Sequence, residues 1–167
     1  MKYLEVRDKI KTGDMLLWTD HKGGGFRAII ERWIVRHGTA STYTHVGVAW
    51  VDNGRCWVME ITTKGCAPRL LSSVLPFDWA PAPKELSDDA LKYAFSCFGV
   101  WIYNRWQAIL GQLQRLVIGQ DKEGQCAEFS LCVWDVDGIA PTNIATPGAC
   151  ATGALEVWNS SITRVSE

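Results

Sequence analysis

The stretch TYTHVGVAWVDNGRCWVMEIT, residues 42–62, decides how this chain folds. Two runs rich in β-branched and aromatic residues flank Asn53-Gly54, and Asn-Gly between such runs predicts a tight hairpin because both positions tolerate positive φ. A two-residue loop sets the register: Asp52 opposite Arg55, Trp50 opposite Trp57, Gly47 opposite Glu60 and His45 opposite Thr62. A four-residue loop closed by Val51 and Cys56 keeps the same pairs, whereas a three-residue loop turns Glu60 to the other face. Strand alternation puts Thr44, Val46, Val48 and Trp50 on one side, which reads as core. His45, Gly47 and Ala49 take the other side, which reads as a cleft floor with an imidazole at one end.

In that register Glu60 lies on the face of His45, one pair along, at a diagonal of about 7–8 Å that long side chains bridge. Gly47 is expected to leave the space between them open. A carboxylate so placed suits holding an imidazole in one tautomer and stabilising its charged form. Thr62, directly opposite His45, is the other candidate for that orienting role.

Outward from the hairpin, GDMLLW (13–18) reads as a turn entering a strand, and a third hairpin-linked strand is expected over Cys66–Leu71. In GGGFRAIIERWIVRHG, the residues Phe26, Ile29, Ile30, Trp33 and Ile34 recur at helical spacing and predict an amphipathic helix ended by Gly38. LPFDWAPAPKE is proline-rich and reads as a surface loop. Ser87 before Asp88 and Asp89 marks a helix start, continued by Leu91, Ala94, Phe95 and Phe98. The apolar stretch 100–118 is expected to be partly helical, and an edge strand is expected near Ala154–Trp158.

GQCAEFSLCVWDVDG predicts one more helix, from just after Gly124 to Gly138, with Phe129, Cys132, Val133 and Val136 on one stripe. Cys126 then stands at its start, facing inward. A helix N-terminus stabilises a thiolate through its unpaired amides and dipole, and a nearby imidazolium does so further. The same amides suit an oxyanion hole. Of the six cysteines, Cys126 alone is expected at a helix start; Cys56, Cys66, Cys97, Cys132 and Cys150 read as small buried hydrophobes. Glu128, in the first turn, is expected to favour the helix dipole from outside.

A chain of 167 residues, 47% hydrophobic and 21% charged, fits one domain over 1–167 with a core of its own. A net charge of −1 without a basic run argues against nucleic acid as partner. No apolar stretch is long enough for a transmembrane segment, and MKYLEVRDKIKTGD is not an export signal, so a cytoplasmic location with reduced thiols is expected. No cysteine pair has CxxC spacing and no two histidines are four apart, so no metal and no cofactor is expected. The nine tryptophans read as core and rim, or, around VWIYNRW (100–106), as a groove for an apolar or peptide ligand. Nothing in the sequence sets an oligomeric state.

Taken in order, GDMLLW (13–18), THVGV (44–48), VMEI (58–61), QCAEF (125–129) and DGIAPTNIATPGACATGAL (137–155) resemble the circularly permuted papain-like cysteine hydrolases of the NlpC superfamily. The likeness is greatest to the YiiX-like branch; lecithin retinol acyltransferase-like proteins are more distant relatives. It spans most of residues 12–153. Ala127 stands where the family often has serine, and the aromatic segment 100–118 has no counterpart in the match. The resemblance implies an α+β, permuted papain-like NlpC-type fold, a small antiparallel sheet packed against helices that include the nucleophile-bearing one. It also implies Cys126 as nucleophile, His45 as general base and acid, and Glu60 as the orienting third member.

The expected activity is cleavage of an amide bond, in a peptide or peptidoglycan-like substrate, through a thioester and without a cofactor. A wall-directed role would require phage-associated or other delivery. Two alternatives stand beside it: an esterase or acyltransferase acting on lipid-like acyl groups, and a non-catalytic binding or assembly module.

Overall fold

The computed structural model describes residues 1–19, 42–103 and 123–167. The described residues form an α+β structure around a six-stranded antiparallel sheet. Its strands are β1 (Met15–Trp18), β2 (His45–Asp52), β3 (Arg55–Thr62), β4 (Gly65–Leu70), β5 (Phe77–Ala80) and, last in the chain, β8 (Thr163–Val165). Their order across the sheet is β4-β3-β2-β1-β5-β8.

The hairpin follows the expected register from Asp52–Arg55 as far as Val48–Met59. Asn53 and Gly54 both take positive φ, 48° and 73°, so two residues make the turn and Asp52 faces Arg55, Trp50 faces Trp57 and Val48 faces Met59. Gly13 has φ of 105°, and a Cβ there would lie 2.9 Å from Leu86 Cγ, so glycine alone fits the entry to β1.

Both faces of the sheet are buried. Met15, Leu17, Val46, Val48, Met59 and Ile61 meet Phe129, Val133 and Trp134 on the helical side. Leu16, Trp18, Ala49, Val58 and Phe77 pack on the opposite side with Val6, Leu71 and Val165. The His45 face is therefore no open cleft floor. Trp18 stands beside His45 on this face, and the position of a Gly47 Cβ would lie 2.5 Å from Val58 Cγ2. Gly47 serves close strand packing instead of leaving a void.

The four described helices are α1 (Tyr3–Val6), α2 (Asp88–Cys97), α3 (Cys126–Val136) and α4 (Pro147–Glu156). Ser87 caps α2 by accepting from the Ala90 N–H, and Thr146 caps α4 by accepting from the Ala149 N–H. On α2 the buried residues are Ala90, Ala94 and Cys97; of the expected stripe Ala94 is buried, Leu91 and Phe98 are partly buried against the core, and Phe95 remains 39% exposed and packs edge-on against Trp50. α3 packs against the sheet and against both α2 and α4. Being enclosed, it buries nearly its whole circumference, although Val136 at its end is exposed.

Two expectations are corrected. LPFDWAPAPKE is not simply a surface loop: Phe77–Ala80 is strand β5, buried at all four positions and paired to both β1 and β8. Pro76 and Pro81 lie just outside it, so neither removes an N–H from the ladder. The region 154–158 is not an edge strand. It ends α4, whose start is set by the Thr146 cap and Pro147 at N1, and the edge strand lies further on at Thr163–Val165.

The amphipathic helix expected over 26–34 lies outside the described residues, as does most of 100–118. Of the latter, Ile102–Tyr103 form a short strand, β6, paired in parallel with β7 (Glu123–Gly124). No helix among the described residues is long and apolar enough to cross a membrane.

Candidate active site

His45 opens β2, opposite Trp18 on β1, whose ring centroid lies 5.4 Å from the imidazole. Strand alternation puts His45 and Glu60 on one face, and His45 Nε2 lies 2.5 Å from Glu60 Oε2. Thr62, the other candidate for the orienting role, accepts at its hydroxyl from the Lys64 backbone N–H at 3.2 Å. The second oxygen of Glu60, Oε1, accepts from Nε of Arg69 on β4. Arg69 stands opposite Val58, one pair along from Glu60, so the same alternation carries it to this face.

Cys126 is the first residue of α3. His45 and the backbone N–H groups of Val46 and Ala127 lie close enough to its sulfur to favour the thiolate. Because His45 Nε2 is taken by Glu60, Nδ1 is the ring nitrogen left for the sulfur. The three side chains anticipated from sequence thus meet: thiol, imidazole and carboxylate in a row, from α3 through β2 to β3. All three are buried.

Burial opposes charge on each of them, and the neighbours overcome it. Burial alone would raise Glu60, but hydrogen bonds and charge from His45 and Arg69 bring its pKa down to about 2. Burial would lower His45, but Cys126 and Glu60 raise it to about 10. For Cys126 burial is again the largest opposing effect; the imidazolium of His45 and the two backbone N–H groups still lower its pKa. The other five cysteines move the opposite way. Burial pushes Cys66 up to about 12 and Cys132 up to about 11, and it also raises Cys56, Cys97 and Cys150. Of the six cysteines, Cys126 is thus the one whose thiol pKa is lowered, at a helix start beside His45.

Glu128 does not lie outside the fold as expected. It is 2% exposed, because α3 is enclosed, and it lies near Gly124 and Trp101. Its charge acts on Cys132.

Sequence reasoning missed Arg69, although extending the hairpin alternation to β4 finds it. It also missed Gln125, which is buried at the N-cap of α3 and donates its side-chain amide to the Ala145 carbonyl, tying the start of α3 to the segment before α4. No sequence signal marks that contact. Among the described residues no cluster of three or more His, Cys, Asp or Glu side chains is arranged to hold a metal.

No protein-family model matches the chain, and no curated protein matches it. Among solved structures it is similar to the crystal structure of the metalloprotein yiiX from Escherichia coli O157:H7, with a TM-score of 0.46 and 14% sequence identity, covering 80% of this chain and 68% of that one.

Proposed function

We propose that this chain is a cysteine hydrolase of the permuted papain-like, NlpC type, which cleaves an amide bond in a peptide or peptidoglycan-like substrate. The observation that carries the reading is the row Cys126–His45–Glu60: a thiol at a helix N-terminus, its pKa lowered by an imidazole whose Nε2 is 2.5 Å from a buried carboxylate. The order of these residues in the chain, histidine before cysteine, agrees with a permuted arrangement.

The proposed steps follow from those positions. The Cys126 thiolate attacks the substrate carbonyl carbon, forming a C–S bond as the carbonyl π electrons move to oxygen. Backbone N–H groups at the start of α3, where helical amides lack intrahelical acceptors, face the developing oxyanion. The His45 imidazolium gives its proton to the leaving amine, the C–N bond breaks, and a thioester remains on Cys126. Neutral His45 then takes a proton from water, and the resulting hydroxide adds to the thioester. Collapse of that intermediate breaks the C–S bond, releases the acid and restores the thiolate–imidazolium pair. Glu60 holds the imidazole ring by Nε2 and offsets its positive charge throughout.

The test is intact-mass spectrometry of the protein mixed with a panel of short peptide amides and, separately, short acyl esters. A mass increase equal to the acyl group, mapped to Cys126 and turning over with amides, is the expected result. Turnover of esters with no amide cleavage would move the assignment to an esterase or acyltransferase. No adduct and no turnover with either class would favour a binding module.

A further inference from the structure

Arg69 lies on β4, the edge strand, and reaches inward to a carboxylate that is itself 1% exposed. Glu60 gives one oxygen to Arg69 and the other to His45, so both are committed to groups on the two flanking strands. The result is an alternating row across the sheet and onto the helix: guanidinium, carboxylate, imidazolium, thiolate. Its outer end is 39% exposed and its inner end is buried. Ionised groups taken out of water are costly unless paired, and these four balance to zero. Without the guanidinium the remaining three carry a net negative charge, which is relieved by a proton on Glu60. A protonated Glu60 no longer offsets the imidazolium, and the thiolate loses its partner.

We propose that Arg69 is a positioning residue, a fourth member of the site, whose guanidinium keeps Glu60 anionic and aimed at His45 so that the ring presents its other nitrogen to Cys126. The inference rests on the Cys126–His45–Glu60 reading and deepens it. Among the described residues, the other titratable groups coupled to the row are thiols: Cys66 on β4, acted on by Glu60, and Cys150 on α4, acted on by Cys126. Burial raises both and keeps them neutral, so among the described residues His45 and Arg69 are the cations that act on Glu60, and Arg69 is the one outside the proton-transfer pair.

The experiment is the rate of Cys126 alkylation by limiting iodoacetamide across about pH 4 to 9. It compares the native chain, R69Q, R69M, R69K, E60Q and the double variant R69Q/E60Q, with circular dichroism at each pH. R69Q and R69M both remove the charge, and Met keeps the apolar stem, so whichever folds carries the test. The expected result is an acid limb displaced upward by about one pH unit or more, giving roughly tenfold slower labelling at a fixed pH on that limb. R69K should lie between native and R69Q, and R69Q should add no displacement in the E60Q background. A merely structural arginine would lower thermal stability and leave the limb in place; a folded R69Q or R69M with the native limb overturns the proposal while the three-residue site stands. If Cys126 in the native chain labels no faster than the other five cysteines, the site itself fails and the proposal falls with it.

Discussion

Nε2 of His45 and Oε2 of Glu60 stand 2.5 Å apart across the β2–β3 hairpin, beside Gly47, whose Cβ position lies 3.4 Å from Glu60 Cβ. The contact follows from a two-residue turn, from strand alternation and from the close strand approach that a glycine permits. It leaves the imidazole with one nitrogen for the carboxylate and one for Cys126, as proton transfer to and from a thiol requires.

Replacing Gly47 tests that geometry. In Gly47→Ala the new Cβ would sit 2.5 Å from Val58 Cγ2 and 3.1 Å from the Met59 carbonyl oxygen, so β2 and β3 must shift. A loss of about 1–3 kcal/mol in unfolding free energy is expected from overpacking. Cys126 reactivity should fall as well, because the shifted strands carry His45 and Glu60. Denaturant unfolding together with thiol labelling checks both, and an unaltered midpoint would contradict the packing assigned to this site.

Removing the nucleophile separates chemistry from stability. Cys126→Ala deletes one sulfur from a helix start that Gln125 still ties to Ala145, so the fold should persist while turnover is abolished. Thermal melting and amide turnover measured on the same sample decide the point. A folded variant with native activity removes Cys126 as nucleophile.

The roles of imidazole and carboxylate should differ in size. His45→Ala removes the general acid and base and is expected to cost about 10²–10⁴-fold in turnover. Glu60→Gln keeps the shape beside His45 and should cost less. An equal or larger loss in Glu60→Gln, measured as kcat/KM on one substrate, would give the carboxylate a direct chemical part.

Glu60 makes a pH-dependent contribution to stability whose sign follows from its depressed pKa. Its pKa falls from 4.5 to about 2 on folding, so the charged form contributes stability that is fully present above 4.5 and is lost as pH drops through 2. The contribution is on the order of a few kcal/mol for a shift of this size. Urea midpoints from neutral pH down to about pH 2 should therefore decline across that window, and the decline should be shallower in Glu60→Gln. Identical pH profiles for the two chains would contradict the depressed carboxylate.

Much of the site was legible because it depends on local rules. Asn53-Gly54 fixed the hairpin register, the register put Glu60 on the face of His45, and the apolar stripe after Gln125 put Cys126 at a helix start. What escaped depended on tertiary enclosure. Glu128 reads as a surface acid in the first turn of a helix, but the first half of α3 is covered on all sides, so the carboxylate is buried. Phe77–Ala80 reads as loop because prolines flank it, yet β1 and β8 on either side supply its ladder. The segment ending at Glu156 is rich in small residues, whose preference for a helix was decided by the Thr146 cap; Gly153 there packs against the Pro141 carbonyl, where no larger residue fits.

The most direct measurement is the pH dependence of alkylation at each of the six cysteines, quantified by peptide mass spectrometry in the folded native chain and in His45→Ala. A free thiol has a pKa of about 8.5, and thiols paired with an imidazolium fall well below it. The account predicts that Cys126 alone labels rapidly near pH 6 and loses that advantage without His45. Labelling of Cys126 at the rate of the other five, or an unchanged rate in His45→Ala, would contradict it.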